Sequence, residues 1–305
     1  MSIKIVSLLP SATEIVCALG AADQLVGISH ECDFPETIRD RPILTSSRLD
    51  PHGSSREIDS AVRQVLNGAL SVYSVDYELI GELAPDLILT QDLCEVCAVS
   101  LDDVHAAVAR LAHRENIRIV SLKPTRLGHV LDDVLRIADA LGIESAGQIV
   151  RSQLQARIDA IRRRASRTDS RPRVATLEWL DPIMLGGTWM PELIELAGGI
   201  PIGARAGDPA PTITPEELEA TQPDIVLVKP CGFSIERTLQ ERELIDRHIR
   251  PVLGSKARLY VTDGNAYFNR PGPRLVESLE IMAACLHPQD FADLARVHHQ
   301  VILPY

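Results

Sequence analysis

Short apolar runs alternate with amphipathic stretches along the first half of the chain. Residues 3–8, 25–28, 86–89 and 117–120 have the continuous hydrophobic character of buried strands. Between the last two runs, residues 101–115 have the polar and apolar spacing of a helix. A succession of strand, helix and strand is typical of an α/β domain with a largely parallel sheet.

Longer helices are predicted on both sides of these strands. Ser11 and Glu14 have the spacing of a capping box, which predicts a helix that begins there and ends at Gly20. Residues 126–141 form an amphipathic helix that ends before Gly142. Apolar residues spaced three and four apart continue from residue 144 to 166, which predicts one helix roughly 35 Å long.

The second half of the chain repeats the first. Strands are predicted at 173–178, 224–228 and 258–262, and helices at 191–197 and 273–286. Residues 78–89 align without a gap on residues 216–227, and both segments read as helix, Pro-Asp and buried strand. The pattern therefore predicts two similar α/β lobes, residues 1–143 and 169–305, joined by a helix and linker at 144–168.

Charge and hydropathy exclude several classes of protein. The 305 residues carry a formal net charge of -11, which argues against a nucleic-acid binder and against a protein that rests on an anionic membrane. No apolar run reaches the roughly 18 residues that a membrane span needs, so we expect no membrane insertion. The first residues lack the apolar region and cleavage site of a secretory signal, and we therefore expect a cytoplasmic location.

Candidate ligand-binding side chains follow the predicted strands. Ligands of open parallel sheets bind beyond the carboxyl ends of the strands, and in a two-lobed protein these edges face each other across a cleft. The candidate ligand-binding residues in these segments are His30, Glu31, Gln91, Asp92, Trp179, Asp181, Tyr267 and Arg270. A structural role in a hydrogen bond is the alternative for His30.

Four of the six cysteines also follow predicted strands, namely Cys32, Cys94, Cys97 and Cys231. Cys94 and Cys97 form a Cys-x-x-Cys motif, for which incidental thiols, thioredoxin-like redox chemistry and metal or cluster ligation are the alternatives. With Cys32 and Cys231 the motif supplies four thiolates, enough for zinc or an iron–sulfur cluster. The sequence contains no phosphate-binding glycine loop and no Gly-x-Ser-x-Gly motif.

Residues 5–14, Ile-Val-Ser-Leu-Leu-Pro-Ser-Ala-Thr-Glu, together with the Pro-Asp strand entries and the long helix at mid-chain, resemble the class III substrate-binding proteins of metal-chelate uptake. This family includes the vitamin B12 and ferric-siderophore binding proteins. The resemblance implies two Rossmann-like lobes with mainly parallel sheets, one long rigid connecting helix, and no catalysis. It also implies a metal chelate, a corrinoid such as cobalamin or an iron complex, bound in the cleft between the lobes.

The resemblance further implies a partner. In the family a glutamate on each lobe docks an arginine of an ABC-type permease, and Glu78 and Glu216 match these positions. Exposed carboxylates at helix starts are the alternative interpretation of this pair. The absence of an export signal sets the chain apart from the exported members.

Other departures from the pattern concern the site. Gln91 stands where the vitamin B12 binders have an aromatic residue, and residues 54–72 read as an inserted helical segment. The cysteine loops resemble those of cytoplasmic members described as cobalamin-binding. We therefore predict non-catalytic binding of a corrinoid or iron chelate; the alternative is a cytoplasmic metalloprotein or redox enzyme with Cys-ligated zinc or an iron–sulfur cluster.

Overall fold

The computed structural model describes residues 3–67, 72–91 and 117–305. The chain divides into two compact units. The first unit comprises Met1–Gly53, Ser60–Pro124 and Gly128–Gln153, and the second comprises Ser54–Asp59, Thr125–Leu127 and Leu154–Tyr305. The predicted assignment of residues 144–168 to a separate connecting segment stays a prediction.

The first unit contains an all-parallel sheet in the strand order β2-β1-β5-β6. A separate antiparallel pair joins β3 to β4. The elements in chain order are β1 Ile5–Ser7, α1 Pro10–Ala18, β2 Leu25–Ile28, β3 Thr45–Ser47, α2 Ser55–Asn67, β4 Tyr73–Val75, α3 Tyr77–Leu83, β5 Leu87–Gln91, β6 Arg118–Leu122, α4 Leu127–Leu141 and α5 Glu144–Ala165.

The second unit contains a mixed sheet in the order β10-β8-β7-β11-β12-β13, in which β9 also pairs with β7. Its central strands β7, β11 and β12 are parallel and largely buried. The elements in chain order are β7 Arg173–Leu180, β8 Ile183–Leu185, α6 Met190–Leu196, β9 Ile200–Pro201, β10 Thr212–Ile213, α7 Pro215–Ala220, β11 Ile225–Val228, α8 Ile235–Leu239, α9 Arg242–Leu244, β12 Arg258–Thr262, α10 Leu275–Leu286, α11 Ala292–Val297 and β13 Ile302–Pro304.

The predicted α/β class with mainly parallel central strands is confirmed, and so is the internal repeat of helix, Pro-Asp and strand. Ala84 directly follows helix α3 and Gln222 lies shortly after helix α7, and both residues adopt positive φ, 53° and 48°. Each is followed by Pro-Asp and then by a buried strand, β5 or β11.

The predicted capping box of the first helix is wrong, although the helix begins within one residue of its predicted start. Helix α1 begins at Pro10, whose fixed φ suits the first turn, and Leu9 provides no side-chain cap. Ser11 lies inside the helix, and its buried hydroxyl has no hydrogen-bond partner among the described residues. The predicted helix at 101–115 lies outside the described residues. Among the helices that the structure describes, none is both long and apolar enough to span a membrane.

Candidate functional site

In the first unit, the segment after β2 forms a hydrogen-bonded network around Thr45. The Thr45 hydroxyl lies 2.9 Å from the Ser29 hydroxyl and 2.6 Å from Nδ1 of His30, and it accepts from the His30 backbone N–H at 3.0 Å. Ser29 and Thr45 are buried. The network therefore fixes the orientation of the His30 ring.

The second ring nitrogen of His30, Nε2, differs from Nδ1 in its contacts. Its ring packs against the Tyr73 ring at a centroid distance of 5.3 Å, and Nε2 has no hydrogen-bond partner among the residues that the structure describes. Burial lowers the pKa of His30 below its ordinary value, and the opposing effect of the Glu31 charge is smaller. The imidazole is therefore held in the neutral form that can coordinate a metal.

The neighbours of His30 are tied into the first unit. The Tyr73 hydroxyl donates to Oε1 of Glu31 at 2.8 Å. Cys32 is buried, and its Sγ lies 3.1 Å from the Thr13 hydroxyl, which in turn donates to the Ser7 hydroxyl at 2.8 Å. Cys32 thus has a local structural role, and its role as a metal ligand stays a prediction.

Gln91 is the last residue of β5 and is buried. Next to it in the sheet, the buried hydroxyls of Thr90 and Ser121 have no hydrogen-bond partner within the described ranges. Three predicted site residues, Asp92, Cys94 and Cys97, lie outside the described residues.

In the second unit, an ion pair between a buried lysine and a half-buried glutamate lies near the carboxyl ends of β7 and β11. Lys229 directly follows β11 and is completely buried, and its Nζ lies 3.4 Å from Oε2 of Glu178. The same Nζ donates to Oδ1 of Asn269 at 2.8 Å. Glu178 Oε2 also accepts from the backbone N–H of Gly187 at 3.3 Å. The sequence analysis missed this cluster, although a lysine that directly ends a fully apolar strand could have indicated it.

The loop after β12 closes over this ion pair. Asn269 donates through Nδ2 to the carbonyls of Lys229 and Gly264, at 3.0 and 2.8 Å. A Cβ on Gly264 would come within 2.1 Å of the Pro230 carbonyl oxygen, so the close approach requires glycine. The Trp189 indole donates to the carbonyl of buried Phe268 at 2.7 Å.

The predicted residues Trp179 and Asp181 contact residues 54–59, which we call the docked segment. The Trp179 indole N–H donates to the Ser55 carbonyl at 3.1 Å, and Arg56 donates to Asp181 at 2.7 Å. Glu241 accepts from the Ser55 backbone N–H at 2.7 Å and from its hydroxyl at 2.5 Å. Since Ser55 and Glu241 are both buried, these bonds are shielded from water.

Tyr267 and Arg270 lie on the loop after β12, as predicted. Arg270 donates to Oδ1 of Asn265 at 2.9 Å, and the Arg274 guanidinium carbon lies 5.7 Å from the centre of the Tyr267 ring. Both predicted residues are partly exposed. Their assignment as ligand-binding residues stays a prediction, as it does for the other candidates.

The proposed four-thiolate site stays a prediction, because Cys94 and Cys97 lie outside the described residues. Cys32 belongs to the first unit and partly exposed Cys231 to the second. No group of three or more His, Cys, Asp or Glu side chains that could hold a metal ion occurs within residues 3–67, 72–91 and 117–305.

Glu78 and Glu216 occupy matching positions. Each is the second residue of its helix, α3 or α7, and each is exposed. Helix α3 is capped by Asp76, which accepts from the Leu79 backbone N–H, and helix α7 by Thr214, which accepts from the Glu217 backbone N–H. Hydrogen bonds to its own backbone N–H and to Thr214 lower the pKa of Glu216.

Comparison with known proteins agrees with this architecture. Residues 5–249 match the model of a family described as periplasmic binding protein. The vitamin B12-binding protein of Photorhabdus laumondii is 23% identical over 279 residues, which cover 91% of this chain and 86% of that protein.

Solved structures resemble the whole chain. The periplasmic vitamin B12 binding protein of Vibrio cholerae has a TM-score of 0.65 at 20% identity, covering 93% of this chain and 96% of that one. A periplasmic heme binding protein from Pseudomonas aeruginosa has a TM-score of 0.68 at 18% identity, covering 95% and 94%. At these identities the likeness establishes the fold, and the resemblance to class III substrate-binding proteins is confirmed.

These comparisons also correct the sequence analysis. The expected cytoplasmic location is wrong, because the matching family and these solved structures are periplasmic binding proteins. The alternative of a metalloprotein or redox enzyme with zinc or an iron–sulfur cluster finds no support among them.

Proposed function

Because this chain belongs to the periplasmic binding protein family, we propose that it binds a metal chelate, and specifically a corrinoid. It is a binding protein and not an enzyme. Relatives along most of its length are vitamin B12-binding proteins, and structural neighbours include heme-binding proteins. The common chemistry of these ligands is a macrocycle whose central metal has an axial position open to a protein side chain.

The observation that carries the proposal is the geometry of His30. Its Nδ1 is bonded to the Thr45 hydroxyl, while Nε2 has no partner among the described residues. A metal-ligating histidine typically donates its second ring N–H to an oxygen, which fixes the ring and raises its basicity. Thr45 can accept from Nδ1–H because its own hydroxyl hydrogen can be donated to Ser29. Imidazole suits cobalt and iron, so Nε2 supplies the axial ligand.

The experiment is a titration with aquocobalamin, cobinamide and haem, followed by absorbance and heat. Axial coordination by imidazole shifts the visible bands of each chelate. We expect such a shift with the wild-type chain and its loss in His30→Ala. His52→Ala, which removes an exposed histidine of the same unit, is the matched control. No spectral change and no heat with any of the three at tens of micromolar would contradict the proposal.

We also propose that Glu78 and Glu216 dock the chain to an ABC-type permease. Both carboxylates are exposed at the first turn of a capped helix, so their positions are fixed while their charges remain accessible. Such carboxylates can accept bidentate bonds from arginines. As in the family that the chain resembles, the proposal assigns one docking glutamate to each of the two units.

A further inference from the structure

The geometry points to Glu178 as a specificity-determining residue that favours ligands with N–H or O–H groups at their rim over ligands with carboxylates there. The inference rests on the proposed function, because it concerns which chelates the chain accepts. Glu178 lies near the carboxyl end of β7, where ligands of such sheets bind.

Among the described residues, contacts to the Glu178 carboxylate involve only one of its two oxygens. Oε2 takes the contacts from Lys229 and the Gly187 N–H, whereas Oε1 has no partner in the part of the chain that the structure describes. The side chain retains 19% of its exposure, while the Lys229 side chain retains 0%. A ligand that reaches this cluster therefore meets the carboxylate oxygen and not the ammonium group.

Lys229 acts as a positioning residue. It is bonded from two directions, by Glu178 Oε2 at 3.4 Å and by Asn269 Oδ1 at 2.8 Å. The ion pair offsets part of the desolvation free energy of the half-buried Glu178 carboxylate. It also orients the carboxylate so that Oε2 faces Lys229. The second oxygen is thereby left for another donor.

The backbone around the ion pair is closely packed. Gly187 approaches the Ala210 backbone so closely that a Cβ would lie 2.4 Å from its nitrogen, and Gly264 approaches Pro230 in the same way. Asn269 binds the backbone on both sides of the loop. A carboxylate held by such a frame is pre-organised, so a bound ligand gains the hydrogen bond with little loss of conformational freedom.

The chemistry of a carboxylate decides which ligands it favours. An ionised carboxylate only accepts hydrogen bonds, so it pairs with amide N–H or hydroxyl groups and repels another carboxylate. Corrinoids carry amide side chains around the ring, whereas haem carries propionates. Glu178 thus provides a physical reason for this chain to prefer the amide-bearing macrocycle.

The test uses cobalamin and ligands that differ from it in one such group. Cobalamin and its monocarboxylic acid isomers, in which one amide is hydrolysed, are titrated separately into the wild-type chain and into Glu178→Gln. We expect the wild-type chain to bind cobalamin about tenfold or more tightly than at least one acid isomer, and the ratio to fall toward one in Glu178→Gln. Glu195→Gln, an exposed charge removal on α6, should keep the wild-type ratio.

Lys229→Met tests the positioning role, with circular dichroism to confirm folding. We expect it to reduce the ratio between the two ligands, and a lower melting temperature with an unchanged ratio would overturn that role. If the wild-type chain binds cobalamin and all acid isomers equally, the inference about Glu178 fails whether or not the variants fold, while the proposed function stands. If it binds none of them, the proposed function fails.

Discussion

Asp86 in the first unit and Asp224 in the second make the same set of hydrogen bonds. Oδ2 of Asp86 accepts from the Lys4 backbone N–H at 2.9 Å, and Oδ2 of Asp224 accepts from the Arg173 backbone N–H at 2.7 Å. Each aspartate also links its backbone to the strands on both sides. The Pro-Asp motif therefore links three neighbouring strands by hydrogen bonds near their amino ends.

Replacing either aspartate by alanine should weaken its own unit. We expect Asp86→Ala and Asp224→Ala each to lower the free energy of unfolding by about 1 kcal/mol, because a backbone N–H loses a charged acceptor at a solvent-exposed place. Urea titration followed by circular dichroism measures the change. The Asn variants keep an acceptor oxygen and should lose less, and equal losses for Asn and Ala would contradict this explanation.

Ligand coordination by His30 should depend on pH in a defined direction. Protonation blocks Nε2, and burial lowers the pKa of His30, so the neutral form persists below the ordinary imidazole value of 6.5. We expect the affinity for aquocobalamin at neutral pH to persist as the pH falls to the ordinary imidazole value and to weaken only below it. Weakening that begins above it would contradict a buried, neutral ligand.

Removing the Glu241 carboxylate, which accepts hydrogen bonds from Ser55, should release the docked segment. In Glu241→Ala the Ser55 N–H and hydroxyl lose their partner, and we expect a loss of about 2 kcal/mol, since these are buried bonds to a charged group. Because the Trp179 indole donates to the Ser55 carbonyl, its fluorescence should change as well. Glu243→Ala, at an exposed position on α9, is the control, and equal effects of the two variants would contradict this role.

A buried carboxylate should make the first unit sensitive to pH. Burial raises the pKa of Asp133 to about 6, although Arg136 donates to its Oδ1 at 3.0 Å and opposes the shift. The folded chain thus holds this proton more tightly than the unfolded chain. The free energy of unfolding therefore falls as the pH rises from 3.8, the ordinary pKa, to about 6, and the loss is complete above about pH 6.

Asp133→Asn removes that effect. We expect it to raise the free energy of unfolding more at pH 8 than at pH 5, by about 1.4 kcal/mol, because about one unit separates pH 5 from the raised pKa. Urea titrations at the two pH values measure it. Asp132→Asn, at an exposed neighbouring position, should show no such difference, and a gain for Asp133→Asn that is the same at both values would contradict the assignment.

Charge reversal should separate docking from ligand binding. Glu78→Arg and Glu216→Arg are expected to weaken binding to the permease in nanodiscs about tenfold or more while leaving cobalamin affinity unchanged. Glu82→Arg and Glu219→Arg, exposed on the same two helices, are the matched controls. Equal weakening by the control variants would indicate a general charge effect and contradict the assignment.

The sequence predicted those parts of the fold that depend on local pattern. Strand β12 and helix α4 were predicted to within one residue, because apolar runs and a following Gly142 with positive φ define them locally. The capping box predicted for α1 was wrong, because the helix begins at Pro10 and Ser11 therefore lies inside its first turn. The short strands β8, β9, β10 and β13 were missed, since they have two or three residues and depend on pairing with neighbouring strands.

In the candidate site, too, the sequence predicted what depends on local pattern and missed the contacts between residues far apart in the chain. His30 could be singled out because it follows a strand, but its fixed ring depends on Thr45, 15 residues away. The ion pair of Glu178 and Lys229 joins residues 51 apart in sequence, and no local spacing reports it. Trp179 and Asp181 were selected as ligand contacts, whereas their partners in the docked segment come from 124 and 125 residues away.

The docked segment decides how the protein can be divided for experiments. Residues 54–59 complete the second unit, yet the chain before and after them belongs to the first. A gene cut between residues 153 and 154 would yield a carboxyl-terminal product in which Glu241 and Trp179 lack the backbone that they bind. Its amino-terminal counterpart would carry α2 without the carboxylate at its first turn. Neither half is thus an independent module, and only a rearranged gene that carries residues 54–59 along could produce the second unit intact.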